Sequence, residues 1–330
     1  MKNLKISSAN NVEFSYQAPA SWGKGDIYPS HLHARAKTLI EYILAHNPST
    51  VEIINLRSSD QFKQFYIDFH KELEEGTGVV FLKNFISCTN FDASKIHEIF
   101  MNFCLFIGEP VPINKLGEVL REVKDIGLKD SVAKPVRGHL TNQSLAFHSD
   151  RADITTLLCM SPAYQGGEFK VGSSARLFHE LKKRKDFLDI LSSNIPHDLR
   201  DEGSDDANIC AHPIVSYENI FCVRYIRKFI ESTARFGLTM DPKLVAALDY
   251  IDTIVNSESF SHEFYLNPGD FIMINNHLTL HSRNSFIDSE SQKRCLLRIW
   301  LSTEFSRPLP ESFKPIFYQV TAGSSRGGIR

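Results

Sequence analysis

Short runs of β-forming residues, broken by turn residues, dominate the sequence from about Val119 onward. The tetrapeptide Asn267-Pro268-Gly269-Asp270 predicts a tight turn, because proline fixes φ and glycine permits a positive φ. Many short strands with this punctuation predict a β-sandwich or jelly roll. The predicted strands are Ile154 to Met160, Phe169 to Val171, Ile220 to Tyr225, Phe264 to Leu266, Phe271 to Ile274 and Cys295 to Leu301.

Apolar residues at helical spacing precede and interrupt these strands. They predict one helix between Asp60 and Glu75 and a second that follows the cap candidate Asp92 and ends before Gly108. Two further helices are predicted, one at Ala175 to Leu191 and one from Pro242 to Val255. The fold class is therefore mainly β with flanking helices.

The chain is expected to have three parts. Residues 1–75 form a helical and extended appendage, residues 76–308 form the main β domain, and residues 309–330 form a C-terminal tail. The tail contains Gly327-Gly328 and is expected to be poorly ordered, and the acidic stretch Asp201 to Asp206 predicts a solvated loop.

Charge and cysteine content narrow the class of protein. Acidic and basic residues nearly cancel, with a net charge of −2 and no long basic run, which argues against a nucleic-acid partner. No stretch approaches the roughly 18 apolar residues of a membrane span, and no signal peptide is evident. Six cysteines, never closer than 12 positions, predict reduced and mostly buried thiols. We expect a cytoplasmic protein without a membrane partner.

Two tripeptides place a histidine two residues before a carboxylate. His70-Lys71-Glu72 lies in a predicted helix, where such residues point in different directions, so a surface pair is expected. His148-Ser149-Asp150 lies in the β-rich region, where both side chains project from the same face. This geometry suits a two-histidine, one-carboxylate site for Fe(II).

A third ligand is available in the segment from Asn275 to Arg283. If this segment is a strand, His277 and His281 share one face about 13 Å apart, so only one of them can contact the metal. The spacing does not decide between them. Farther along, Arg294 and Arg298 lie on one face of an apolar strand pattern, which predicts a bound anion such as a carboxylate.

The order of several motifs resembles the taurine dioxygenase-like family, which includes clavaminate synthase and γ-butyrobetaine hydroxylase. The resemblance covers roughly Gly76 to Pro308. The motifs that carry it are Phe147 to Asp153, Gly166-Gly167-Glu168, Pro268-Gly269-Asp270 with Asn275-Asn276, Leu280 to Arg283 with Phe286, and Arg294 to Leu301.

This resemblance implies a double-stranded β-helix, a cupin-like jelly roll, and an oxygenase that uses Fe(II), 2-oxoglutarate and O2. His148, Asp150 and His281 would be the metal ligands, which makes His277 a neighbour. Arg294 would bind the distal carboxylate of 2-oxoglutarate, and Arg298 would support it or meet an acidic group of the substrate. Succinate and CO2 would be released.

One position departs from the family pattern. Where the family usually has Thr or Ser after the paired glycines, this chain has Phe169, which cannot donate a hydrogen bond to the cosubstrate. Ser173, Thr156 or water is expected to substitute, or the affinity for 2-oxoglutarate is lowered. The intact Asp150 argues against halogenation, because related halogenases replace this carboxylate.

The substrate is expected to be a small amino-acid-like or carboxylate-bearing metabolite that is hydroxylated. Candidate substrate-binding residues are Arg224, Arg227, Asn142 and Ser144, and a homo-oligomer is left open. Two alternatives stand beside the oxygenase: a catalytically silent jelly-roll module that binds a ligand or partner, and a zinc hydrolase with the same ligands. Phe169 favours the silent module, and the zinc reading leaves Arg294 and Arg298 without a role.

Overall fold

Two antiparallel β-sheets form the centre of the computed structural model, which describes residues 14–28, 30–128, 138–200 and 208–329. The strands are β1 (Val79–Leu82), β2 (Glu109–Val111), β3 (Leu120–Val123), β4 (Leu145–His148), β5 (Ile154–Ser161), β6 (Gln165–Gly166), β7 (Phe169–Ser173), β8 (Ile195–Asp198), β9 (Ile209–His212), β10 (Val215–Ser216), β11 (Cys222–Val223), β12 (Ser261–Phe264), β13 (Phe271–Asn275), β14 (Thr279–Arg283), β15 (Phe286–Ile287) and β16 (Cys295–Ser302). The major sheet has the order β1-β13-β5-β16-β2, with β3 also paired to β16, and the minor sheet has the order β12-β7-β14-β4.

Helices cover the outer faces of the sheets. They are α1 (His33–His46), α2 (Thr50–Leu56), α3 (Lys63–Glu74), α4 (Ala93–Ile107), α5 (Ser174–Leu181), α6 (Lys185–Leu191), α7 (Arg227–Glu231), α8 (Pro242–Val255) and α9 (Lys314–Phe317). Among the described residues, no helix has the length and apolar character needed to cross a membrane.

Side-chain alternation along the central strands separates two apolar layers. Leu158 of β5 and Leu297 of β16 pack outward in a cluster with α1, α3 and α4. Leu157 and Leu296, their neighbours in sequence, point inward and pack with Phe169 of the minor sheet. The two sheets therefore form a sandwich, which is the predicted jelly-roll core.

The predicted helices α3, α4 and α8 and the predicted strands β5, β7, β13 and β16 are confirmed, whereas α1 and α2 were not predicted as separate helices. Three predicted elements differ. The helix expected at Ala175 to Leu191 is two helices, because Arg184 leaves the helical conformation at φ −127° and ψ 76°. The run Ile220 to Tyr225 contains only the two-residue strand β11, and β12 ends at Phe264 instead of beginning there. The stretch Asp201 to Asp206 falls outside the described residues.

The C-terminal tail is packed into the structure, so the expectation of poor order was wrong. Arg326 and Ile329 are buried, and the backbone N–H of Gly328 donates to the carbonyl of Arg151 at 2.7 Å. Gly327 has a φ of +79°, and a Cβ there would lie 2.9 Å from the same carbonyl oxygen. The glycine pair thus permits close backbone contact with the loop that follows β4.

His70 was wrongly expected at the surface. It is fully buried on the face of α3 that packs on α4, and its Nε2–H donates to the carbonyl of Ile107 at 3.0 Å. All six cysteines are free and four of them are buried, as predicted. The domain boundary at residue 76 stays a prediction.

Candidate active site

A cavity of about 430 Å³, including its open mouth, lies between the two sheets. Inward-facing side chains of both sheets line it, because alternate residues of a strand share a face. The lining residues are Val123, Leu145, His148, Asp150, Thr155, Leu157, Phe169, His281, Ser282, Arg283, Arg294, Leu296 and Arg298.

Two histidines face each other across neighbouring strands of the minor sheet. His148 of β4 and His281 of β14 are directly paired, and their ring centroids are 4.3 Å apart. Asp150 follows β4, with its carboxylate oxygens 3.8 Å from His148 Nε2 and 3.7 Å from His281 Nε2. One ligand atom from each side chain lies within 4.8 Å of the others. Strand register thus brings together the three residues that the sequence singled out.

Each histidine offers one ring nitrogen to a metal. His148 Nδ1–H donates to the carbonyl of Ala146 at 2.8 Å, so Nε2 is the nitrogen left for a ligand bond. Burial, followed by the neighbouring His148, lowers the pKa of His281 to about 3. His281 is therefore neutral at physiological pH, and a neutral imidazole is a metal ligand.

The Asp150 carboxylate is fixed by side chains of the major sheet. Its Oδ2 accepts hydrogen bonds from Thr155 Oγ1 at 2.7 Å and Trp300 Nε1 at 2.9 Å. Its backbone N–H donates to Asn276 Oδ1 at 3.1 Å, and its carbonyl accepts from Arg224 Nη1 at 3.1 Å. Such outer contacts orient a ligating carboxylate.

Neighbouring groups keep this carboxylate ionised. Burial alone raises the pKa of Asp150, but contacts with His281, the Arg298 guanidinium, His148 and the Thr155 hydroxyl oppose it, and the net pKa lies well below the usual range. Two imidazoles and one ionised carboxylate form a donor set that fits Fe(II).

The two predicted arginines line the same cavity. Arg294, which is 4% exposed, lies over the ring of Phe286 at 5.2 Å, and its Nη1 has no hydrogen-bond partner. Arg298 lies over the ring of Trp300 at 5.0 Å, and its Nε also has no partner. Burial lowers the pKa of Arg294 to about 10, so it remains cationic. Unpaired guanidinium N–H groups beside a metal-ligand cluster fit the carboxylates of 2-oxoglutarate.

The four candidate substrate-binding residues lie outside this lining. Arg224 is buried behind the cavity wall, where it donates to the backbone of Asp150. Arg227 forms ion pairs with three carboxylates of α7 and α8, and its part in substrate binding stays a prediction. Asn142 and Ser144 are exposed on the segment before β4.

The hydroxyls expected to replace the missing family hydroxyl are engaged elsewhere. Ser173 caps α5 by accepting a hydrogen bond from the backbone of Arg176. Thr156 donates to the carbonyl of Ile299 at 2.9 Å on the helix-covered face of the major sheet. Phe169 itself lines the cavity, with its ring 5.6 Å from that of His281.

His277 belongs to a buried network behind the loop that follows Asp150. Its Nε2–H donates to Asp153 Oδ1 at 2.8 Å, and burial lowers its pKa to about 4. Arg326 Nε donates to the same oxygen at 2.8 Å, and Ser302 Oγ donates to Oδ2 at 3.2 Å. His277 therefore supports the loop and lies outside the ligand cluster.

Sequence reasoning missed three residues of the site. Thr155 and Trp300 hold the Asp150 carboxylate, and Arg283 adds a third guanidinium to the cavity lining. Arg283 and Trp300 had a local signal, because each lies two residues after a candidate site residue, His281 and Arg298, and so shares its strand face.

Comparisons with known proteins agree with this geometry. Residues 46–300 match the family described as taurine catabolism dioxygenase TauD, TfdA family. FR-33289 synthase of Streptomyces rubellomurinus is 28% identical over 251 residues, which cover 73% of this chain and 74% of that protein.

Solved structures share the fold. Asparagine oxygenase in complex with Fe(II), (2S,3S)-3-hydroxyasparagine and succinate has a TM-score of 0.64 at 14% identity, covering 94% of this chain and 99% of that one. The non-heme iron oxygenase OrfP in complex with Fe and α-ketoglutaric acid has a TM-score of 0.58 at 15% identity, covering 84% of this chain and 94% of that one.

Proposed function

The chain belongs to the taurine catabolism dioxygenase TauD, TfdA family and is an Fe(II)- and 2-oxoglutarate-dependent oxygenase, and from this premise we propose that it hydroxylates an unactivated C–H bond of a small amino-acid-like or carboxylate-bearing metabolite. The observation that carries the proposal is the meeting of His148, Asp150 and His281 in one cavity with Arg294 and Arg298.

Each residue has a role under this proposal. His148, Asp150 and His281 hold the metal, Arg294 binds the distal carboxylate of 2-oxoglutarate, and Arg298 meets an anionic group of the substrate. When bound, Fe(II) together with 2-oxoglutarate and O2 supplies the oxidising power for hydroxylation, with release of succinate and CO2. The apolar wall excludes water from the reacting centre and is formed by Val123, Leu157 and Leu296.

The charge of the cavity favours an anionic substrate. Three guanidiniums line it, and Asp150 is the only carboxylate among its described lining residues. Bound Fe(II) adds two positive charges and 2-oxoglutarate brings two negative ones, so the loaded cavity stays positive. A carboxylate on the substrate would lower the free-energy cost of burying this excess positive charge.

The solved relatives support an amino-acid-like substrate. One was crystallised with 3-hydroxyasparagine, and another structure of OrfP contains (3S)-hydroxy-L-Arg. Both ligands are α-amino acids carrying a new hydroxyl group. We propose the same class of substrate for the present chain, without choosing either of these two amino acids.

Anaerobic titration with Fe(II) and 2-oxoglutarate tests the metal site. The wild-type protein should develop the weak visible charge-transfer band of a chelated keto acid, and His148→Ala and His281→Ala should lose it. His179→Ala, at an exposed position of α5, is the matched control and should keep the band. A folded wild-type protein without the band, or a His281→Ala variant that retains it, would contradict the proposal.

Turnover then tests the substrate class. The Fe(II)-loaded protein is incubated with O2, 2-oxoglutarate and a panel of amino acids and short carboxylates, and succinate formation is measured. Substrate-dependent succinate, with a product heavier by one oxygen atom, is the expected result. Absence of succinate with every compound would favour the silent binding module.

A further inference from the structure

Arg283 occupies an inward position of β14, two residues after His281. It is 4% exposed, lines the cavity and pairs directly with Phe169 of β7. Its Nη2 donates to backbone carbonyls of the segment before β4, including that of Thr141 at 2.8 Å. Part of this guanidinium therefore anchors that segment.

The rest of the guanidinium has no partner. Arg283 Nε and Nη1 are buried without a hydrogen bond, and no carboxylate of the described residues is hydrogen-bonded to the side chain. Asp125 is close enough to act on its charge, but its Oδ1 accepts from the backbone of Gly127. Burying hydrogen-bond donors without an acceptor costs free energy, and a bound anion would remove that cost.

Arg283 and Arg294 lie at the same end of the cavity. Both guanidiniums stack on Phe286, at 4.9 Å and 5.2 Å from the ring centroid, and each keeps an unpaired Nη1. Burial and then the charge of Arg294 lower the pKa of Arg283 to about 9. Asp125 and Asp288 act on these two charges from a distance, but neither is shown hydrogen-bonded to a guanidinium among the described residues, so the pair can bind an anion.

The third arginine marks the opposite end. Arg298 lies over Trp300, whose Nε1 donates to Asp150, and it acts directly on the Asp150 charge. The guanidiniums left for the far carboxylate of a dicarboxylic keto acid are therefore the two on Phe286.

From this arrangement we propose that Arg283 and Arg294 together clamp the distal carboxylate of 2-oxoglutarate, with Arg283 supplying donors that Phe169 cannot provide. The inference rests on the proposed function and adds a cosubstrate-binding residue to it. A charge-assisted hydrogen bond of this kind corresponds to about 10- to 150-fold in affinity.

The test compares two keto acids on the Fe(II)-loaded protein without O2. Dissociation constants are measured by calorimetry and by the visible band for 2-oxoglutarate and for 2-oxopentanoate, which has the same carbon chain without the distal carboxylate. The variants are Arg283→Gln and, as matched control, Arg176→Gln, whose guanidinium contacts Ser259 outside the cavity. Thermal unfolding confirms that both variants fold.

Arg283→Gln should raise the Kd for 2-oxoglutarate about 10- to 150-fold while leaving that for 2-oxopentanoate within about twofold. Arg176→Gln should change neither constant. Equal weakening of both keto acids would show that Arg283 only anchors the chain before β4, and an unchanged Kd for 2-oxoglutarate would equally overturn the clamp. A wild-type protein that binds neither keto acid contradicts the proposed function itself, and with it this inference.

Discussion

Replacing Asp153 with asparagine should destabilise the protein far more than a typical surface substitution does. The Asp153 carboxylate is 1% exposed and forms an ion pair with the fully buried Arg326. Burial alone raises the pKa of Asp153, but Arg326 and His277 lower it overall, so the group is charged in the folded protein. Asp153→Asn therefore leaves a buried guanidinium without its counter-ion.

Breaking a buried ion pair by removing one partner costs about 3–5 kcal/mol. Urea unfolding should show this loss in the free energy of unfolding with an unchanged m-value. Asp189→Asn is the matched control, because Asp189 pairs with Lys185 at a position where both side chains are more than half exposed. Removing such an exposed pair should cost less than about 1 kcal/mol.

The double variant of Asp153→Asn with Arg326→Met provides a second check. Once both charges of this pair are absent, neither partner is left as an uncompensated buried charge, so the double variant should be more stable than Asp153→Asn alone. A loss in Asp153→Asn as small as that in Asp189→Asn would refute the reasoning, because the buried pair would then contribute no more than an exposed one.

Three further predictions follow from individual contacts. Burial lowers the pKa of His70 to about 3, so the unfolded chain takes up a proton below pH 6.5 that the folded chain does not, and stability should fall by about 1.4 kcal/mol per pH unit. His70→Gln, which keeps a donor for the carbonyl of Ile107, should reduce that slope in urea unfolding between pH 7 and 4, and an unchanged slope would contradict the assignment. Trp300→Phe removes one donor to Asp150 and should weaken Fe(II) binding about 10- to 100-fold in a competition titration with a chelator, whereas equal affinity would show that Thr155 suffices. Phe169→Thr should lower the Kd for 2-oxoglutarate about 5-fold by adding a hydroxyl to the cavity, and an unchanged Kd would place the cosubstrate away from this residue.

Local periodicity predicted three of the long helices but not α1. The helices α3, α4 and α8 carry an apolar face at helical spacing, and α4 and α8 begin at aspartate caps. The break between α5 and α6 depends on the backbone of Arg184, which the apolar pattern does not record. The order of the tail was missed because Arg326 is buried by a contact with Asp153, 173 positions earlier in the chain.

Strand spacing singled out most of the candidate site, although two of its residues lie just outside the strands. Asp150 follows the end of β4 at His148, and Arg294 precedes the start of β16. Strand spacing left the choice between His277 and His281 open, the family resemblance implied His281, and the pairing of β14 with β4 puts His281 opposite His148. The spacing of residues within one strand does not determine how that strand pairs with its neighbour.

The three candidate ligands are divided between the two halves of the sandwich. The histidines belong to the minor sheet, whereas the carboxylate of Asp150 is tethered to Thr155 and Trp300 of the major sheet. An ion bound by all three acts as a cross-link between the layers as well as a reagent. Loss of the ion would remove this cross-link, so the two sheets would separate more readily at the mouth of the cavity. The same ion would then serve both catalysis and the stability of the sandwich.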